Sequence, residues 1–261
     1  MIGKSILVLS PHPDDEAVGA CIAIKKAREA GAEVTVLHLT NGIPSRDTLW
    51  FWDRSKHDAF IDVRLKEAEK VRKELDFSMV LNPRVATRKL KENIESAYQL
   101  IRGIISHHDC DTLWTPAYEG GHQDHDTCNF LASKFCVFTD VWEFSEYNFF
   151  NSKINSNKFI HKTGSEICIK LSDNEKVFKK KILNIYQSEQ KNLNYIKFEQ
   201  ESFRPIKGYD YSKAPHLSPL FYQRFQWVPW HPRVDYCIPS DLITKWRVWE
   251  NFHNDRNSAG N

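Results

Sequence analysis

No CxxC pair occurs among the six cysteines of this chain, Cys21, Cys110, Cys128, Cys136, Cys168 and Cys237, and their spacing is irregular. That excludes a thiolate zinc site and a disulfide scaffold, and fits the reduced thiols of a cytoplasmic protein. No apolar stretch approaches the roughly 18 to 20 residues that a membrane span requires, and Met1-Ile2-Gly3-Lys4 runs straight into a strand pattern without a targeting segment. Charge of one sign is lacking too. The 36 basic and 34 acidic side chains leave a formal net charge of +2, which gives no reason to expect nucleic acid or an anionic membrane as partner. Internal repeats and low-complexity segments are absent, and 261 residues bury enough apolar surface to fold as one domain, 1–261.

A GxGxxG run is missing where the first strand meets the first helix, so topology alone would support dinucleotide binding. What is present is regular β/α alternation. Ile6-Leu7-Val8-Leu9 reads as a buried strand, residues 14–30 carry apolar side chains at helical spacing, and Val34 to Leu39 form the next strand. Helices over about 55–75, 90–107 and 125–136 alternate with strands at 79–81, 112–115 and 138–145. This predicts an α/β fold, a Rossmann-like three-layer sandwich whose mainly parallel sheet binds ligands at the carboxyl ends of its strands. Residues 1–145 form its core. The stretch 146–261 is rich in aromatics and is expected to be irregular, to pack on the core and to shape a pocket. Within it, Lys179-Lys180-Lys181 reads as a solvated helix face.

Two polar clusters follow strand ends. His12-Pro13-Asp14-Asp15-Glu16 comes directly after the first strand, and helix-start chemistry accounts for Pro13 and the acids while leaving His12 unexplained. His122-Gln123-Asp124-His125-Asp126 follows Thr112-Leu113-Trp114-Thr115-Pro116 across a Gly120-Gly121 turn. Parallel strands bring their carboxyl ends to one edge, so the clusters are expected to meet. Two imidazoles and a carboxylate suit zinc hydrolysis, with an open position for water and a second carboxylate to take its proton. The same donors also suit Fe2+.

These residues resemble the PIG-L/LmbE-like family of zinc-dependent N-deacetylases, in the Pro-His-Pro-Asp-Asp-Glu run from Pro11 to Glu16 and the His-x-Asp-His run from His122 to His125. Supporting similarities are Thr40-Asn41-Gly42, Arg64 to Ala68, Tyr186 to Gln190, Glu201 to Arg204, and Tyr209 to His216. The resemblance implies His12, Asp15 and His125 as zinc ligands and Asp14 as general base. It makes His122 the charged partner of the oxyanion and proton donor to the leaving amine, with Asp124 orienting His122 by a hydrogen bond. Glu16 is read as structural. Arg64 is placed near substrate, although its position three residues before Glu67 equally suits an ion pair. Arg46 and His216 are further substrate-binding candidates, and Arg204 is considered with them. Gln123 stands where many members have Pro, and Gly120 where some have an oxyanion-supporting Tyr, a role for which Tyr118 is the substitute considered.

The function implied is removal of an acetyl group from an N-acetylated amino sugar, a GlcNAc-type glycoside, lipid-linked sugar or antibiotic precursor. The alternatives are a zinc amidase for a larger acyl group and a low-turnover sugar-binding protein. The expected partner is a small-molecule glycoside, and the aromatic C-terminal stretch allows for a homo-oligomer.

Overall fold

The computed structural model describes residues 1–206, 208–232 and 234–259, with side chains as far as Asp255. Its centre is a seven-stranded sheet. Five parallel strands come first in the chain: β1 (Ser5–Ser10), β2 (Glu33–His38), β3 (Ser78–Leu81), β4 (Thr112–Pro116) and β5 (Asp140–Phe144). A short ribbon of β6 (Tyr147–Asn148) and β7 (Asn155–Ser156) follows. Two late strands, β8 (Ile167–Lys170) and β9 (Gln200–Pro205), extend the sheet antiparallel beyond β5, giving the spatial order β3-β2-β1-β4-β5-β9-β8. The C-terminal stretch therefore builds part of the sheet as well as covering it.

The central strands are buried on both faces, which is why they read as continuous apolar runs. Alternate side chains divide between two cores: Ile6, Val8, Val34, Val36 and Trp114 face one, while Leu7, Leu9, Leu37 and Leu113 face the other. The first core is covered by α1 (Asp15–Gly19), α2 (Cys21–Glu29), α3 (His57–Leu75) and α6 (Asp173–Leu183). The second is covered by α4 (Ile94–His107), α5 (Gln123–Ser133) and α8 (Pro239–Ala259); a single turn, α7 (Gln190–Leu193), precedes β9. Among the described residues, no helix is long and apolar enough to cross a membrane.

Two local readings need correction. The single helix expected over 14–30 breaks at Ala20 into α1 and α2, whose freed amides at Ile22 and Ala23 donate to Glu201 at 3.0 and 2.9 Å. Glu201 thus places a carboxylate at the positive end of α2. Lys179 is not on a solvated face: it is fully buried, donating to Val18 O and Glu201 Oε1, each at 2.7 Å. The buried carboxylate that caps α2 attracts it inward, while Lys181 reaches an exposed partner, Glu74.

Sheet order fixes where a site can form. β2 and β3 lie to one side of β1, whereas β4 and β5 lie to the other, so the crevice at the carboxyl ends of β1 and β4 is the topological switch point.

Candidate metal centre

The loop leaving β1 delivers His12, Asp14 and Asp15 to that crevice, and the first turn of α5 delivers His122 and His125. His12 Nδ1 lies 3.2 Å from Asp15 Oδ2, and His125 Nε2 lies 3.2 Å from Asp15 Oδ1. Asp15 therefore bridges the two imidazoles. Groups able to share one ion are His12 with His122 and His125, His12 with Asp14 and Asp15, and Asp15 with His125 and Glu146.

The electrostatics of this donor set fit a cation. His125 Nε2 is buried, and beyond Asp15 at 3.2 Å it has no hydrogen-bond partner among the described residues. Burial would raise the Asp15 pKa, but His125 and His12 hold it well below the ordinary carboxylate range. Burial would likewise lower His12, yet Asp15 and Asp124 push it up to about 10. Two buried carboxylates thus demand positive charge beside them, and a divalent ion between neutral imidazoles satisfies the same demand.

Asp14 is held in strained backbone, with φ 144° and ψ −25°. Its N–H donates to Glu16 Oε2 at 3.1 Å; Glu16 also receives Ser10 Oγ at 3.1 Å and the Tyr186 hydroxyl at 2.6 Å. Burial raises the Glu16 pKa to about 7. Glu16 thus holds the Asp14 backbone as well as opening the helix. Burial and the neighbouring Asp15 also raise Asp14 well above its usual range, which suits a group that must accept a proton near neutrality.

The second cluster departs from the expectation at Asp124. Its carboxylate meets His12 Nε2 at 3.0 Å and receives Thr87 Oγ1 and the Arg88 and Leu90 amides at 3.3, 2.6 and 3.2 Å. His122 Nδ1 is 3.7 Å from that carboxylate and instead accepts the Asp124 backbone N–H at 3.1 Å as N-cap of α5. Asp124 therefore backs His12, not His122. An Nδ1 that accepts leaves the proton of the neutral ring on Nε2, and burial beside His12 lowers the His122 pKa well below its ordinary value. His122 is thus a neutral N–H donor in this state, not the cation expected.

Of the substrate candidates, only Arg64 adjoins the Asp14 loop. Arg64 is 1% exposed. It donates to Ser188 Oγ at 2.9 Å and Pro13 O at 3.1 Å, pairs with Glu189, and stands 3.9 Å from Asp14 Oδ2. It ties the Asp14 loop to Ser188 and Glu189. Gly42 makes room for it: at φ 73°, a Cβ there would lie 2.9 Å from Arg64 Nη1. Arg46 is exposed and paired with Asp58 at 2.7 Å, so it belongs to a surface ion pair. His216 is buried, beside the backbone of Glu119 and Ser218, and packs edge-on to Phe150 at 5.5 Å. Arg204 is tied to the Tyr209 hydroxyl at 2.7 Å and to the buried Glu143. Tyr118 donates to Lys213 O at 2.7 Å inside an aromatic cluster, so it does not replace a tyrosine at Gly120.

Other residues at the crevice escaped the sequence reading. Tyr147 lies 5.4 Å from His125, and Tyr195 and Phe221 pack beside it at 5.4 and 4.7 Å. Thr87 reaches His12 Nε2 at 2.9 Å, and Glu146 lies beside Asp15 and His125. Glu146 was discoverable, because it follows β5, whose carboxyl end neighbours that of β4. Gln123 carries more than a change of rigidity: its amide donates to both oxygens of Asp235 at 2.8 and 2.7 Å, tying the start of α5 to the C-terminal stretch.

Residues 7–136 match the family model PIG-L, described as GlcNAc-PI de-N-acetylase. The diacetylchitobiose deacetylase of Thermococcus kodakarensis is 31% identical over 152 residues, which is 54% of this chain and 52% of that protein. The chain thus spans about half the length of the curated relative it matches. Among solved structures, a deacetylase of the teicoplanin biosynthesis pathway superposes with a TM-score of 0.63 at 16% identity, covering 79% of this chain and 99% of the other. The N,N'-diacetylchitobiose deacetylase of Pyrococcus horikoshii gives 0.53 at 19% identity, covering 78% and 84%. At these identities the superpositions speak for the fold alone; the matched family model and the motifs at the crevice make this chain a member of the PIG-L/LmbE-like family.

Proposed function

We propose that this chain is a zinc-dependent hydrolase that removes the N-acetyl group from an N-acetylated amino sugar and releases acetate. The observation that carries the reading is the meeting, at one switch-point crevice, of the donors His12, Asp15 and His125 with a raised carboxyl, Asp14, and a neutral imidazole, His122. The family model points to de-N-acetylation, and the relative's name to an N-acetylated sugar.

His12, Asp15 and His125 would hold the ion, which when bound polarises an amide carbonyl and acidifies water. Asp14, fixed in place by Glu16, accepts the proton of the attacking water. His122 offers Nε2–H toward the developing oxyanion. Protonated Asp14 then returns its proton to the leaving nitrogen, so that acetic acid and a free amine are formed with no net proton change before acetate ionises. Asp124 keeps His12 oriented through Nε2, as outer carboxylates do for metal-bound histidine.

The test is a mass-spectrometric screen for loss of an acetyl group across N-acetylated glycosides, with acetate assayed in parallel. Acetate release that stops on chelation and returns with zinc is the expected result. Activity untouched by thorough chelation would remove the metal reading, and release of only larger acids would reassign the acyl group.

A further inference from the structure

Glu146 is a buried acid for which the reaction above has no use. It is 1% exposed, and no N–H or hydroxyl donates to either of its carboxylate oxygens among the described residues; the groups it faces include the Asp15 carboxylate. Its Oε2 stands 3.8 Å from His125 Nδ1, the nitrogen turned away from Asp15, and its carboxylate shares a cluster with Asp15 and His125. An unpaired acid in such a place weakens a fold, and an apolar side chain of the same size would serve stability better.

A parallel explains its presence. His12 has Asp15 at one ring nitrogen and the Asp124 carboxylate at the other. His125 has Asp15 at Nε2 and Glu146 facing Nδ1. The two imidazoles thus each stand between Asp15 and an outer acid. The Asp124 bond is already made at 3.0 Å, whereas the Glu146 gap must shorten to about 2.9 Å to become one.

We infer that Glu146 is the positioning residue of His125: it accepts the Nδ1–H when His125 Nε2 binds the ion, fixing the tautomer and aim of that ligand. This rests on the metal reading given above. The acid is therefore unpaired in the metal-free fold and paired in the loaded one, and the stability lost in the first state returns as affinity in the second.

Chelator competition with Co2+, run on the full chain as wild type, E146L and E146Q, tests it. E146L, which has no acceptor, should bind the ion about 10- to 100-fold more weakly, while its metal-free form melts about 2–4 °C higher. E146Q keeps a carbonyl oxygen for the Nδ1–H and should stay within about threefold of wild type. A role in packing alone would lower melting temperature and leave affinity unchanged. Equal affinity of E146L and wild type overturns the inference, as does E146Q falling as far as E146L, which would make Glu146 a ligand. Should E146L fail to fold, the exchangeable Nδ1 proton of His125 in the cobalt-loaded protein decides: a slowly exchanging line that shifts in E146Q supports the bond, and the same line in both proteins overturns it. A wild type that takes up no divalent ion at all would remove the metal reading itself, a different result from loss of the Glu146 role alone.

Discussion

The Glu16 carboxylate holds the backbone N–H of Asp14 at 3.1 Å, and Asp14 there adopts φ 144°. A non-glycine residue in that conformation stores about 1–3 kcal/mol, which the surroundings must enforce. Glu16→Ala should let the loop relax and lower kcat by about 10- to 100-fold, as expected for a slightly misplaced reacting group, while metal content stays near wild type. Tyr186→Phe, which removes only the 2.6 Å bond to Glu16, should do the same more weakly. Steady-state kinetics with elemental analysis on both variants checks this.

Asp14→Asn preserves shape and removes the base. Turnover should fall by about 100- to 10,000-fold, with ion binding retained. His125→Ala should instead lose the ion, and activity with it. A D14N protein with near-normal turnover would contradict the assignment of the base.

Asp124→Asn distinguishes two roles for one residue. Because its carboxylate meets His12 Nε2 at 3.0 Å, the substitution should weaken ion binding by about 10- to 100-fold. Had Asp124 acted through His122, affinity would hold and only the pH dependence of kcat would move. Chelator competition separates the outcomes.

The crevice was legible in the sequence because the donors proposed for it sit beside strand ends, in two clusters that the structure brings together. The partner of Asp124 was not legible for a physical reason: residues two apart at a helix start suggest contact, yet the first turn of α5 points the Asp124 carboxylate across the crevice to His12, 112 positions away. Arg64 reads equally as a substrate contact or as an ion pair with Glu67; it stands 3.8 Å from Glu67, and Glu189 and Pro13 O, both from distant chain segments, also meet its charge. Lys179 shows the same limit. Its neighbours Lys180 and Lys181 suggest a wet face, and only the fold reveals the acid that draws it in. The β/α order, by contrast, follows from local periodicity and was readable through β5.

Lys179→Met should strand the Glu201 charge in the core and destabilise the chain by about 3 kcal/mol. Glu201 would still receive the Ile22 and Ala23 amides, so helix α2 persists. In the double variant K179M/E201Q no uncompensated charge remains, and part of the loss should be recovered. Urea unfolding of the two variants and of E201Q completes a cycle.

Burial raises the Glu119 carboxyl from 4.5 to about 7, even though Ser145, Glu146 N and Asn148 donate to it. The folded state therefore holds this proton more tightly than the unfolded chain. Its contribution to stability is complete below about pH 4.5 and is lost as pH rises through about 7. At about 1.4 kcal/mol per unit, that loss is on the order of 3 kcal/mol. Glu119→Gln should flatten the fall in stability of the metal-free protein between pH 5 and 8 by about that much, as read from urea midpoints.

Because β1 and β4 are neighbours in the sheet, an ion held by both His12 and His125 would act as a rivet across the chain. It would join the first strand-helix junction to the start of α5, closing nearly half the sequence, from His12 to His125, into one loop. Such a closure cannot exist until both halves have docked, so the ion would select the finished fold over every partly folded one. Loading the centre should thus slow unfolding of the whole core, and losing the ion should make the crevice the place where the two halves first come apart.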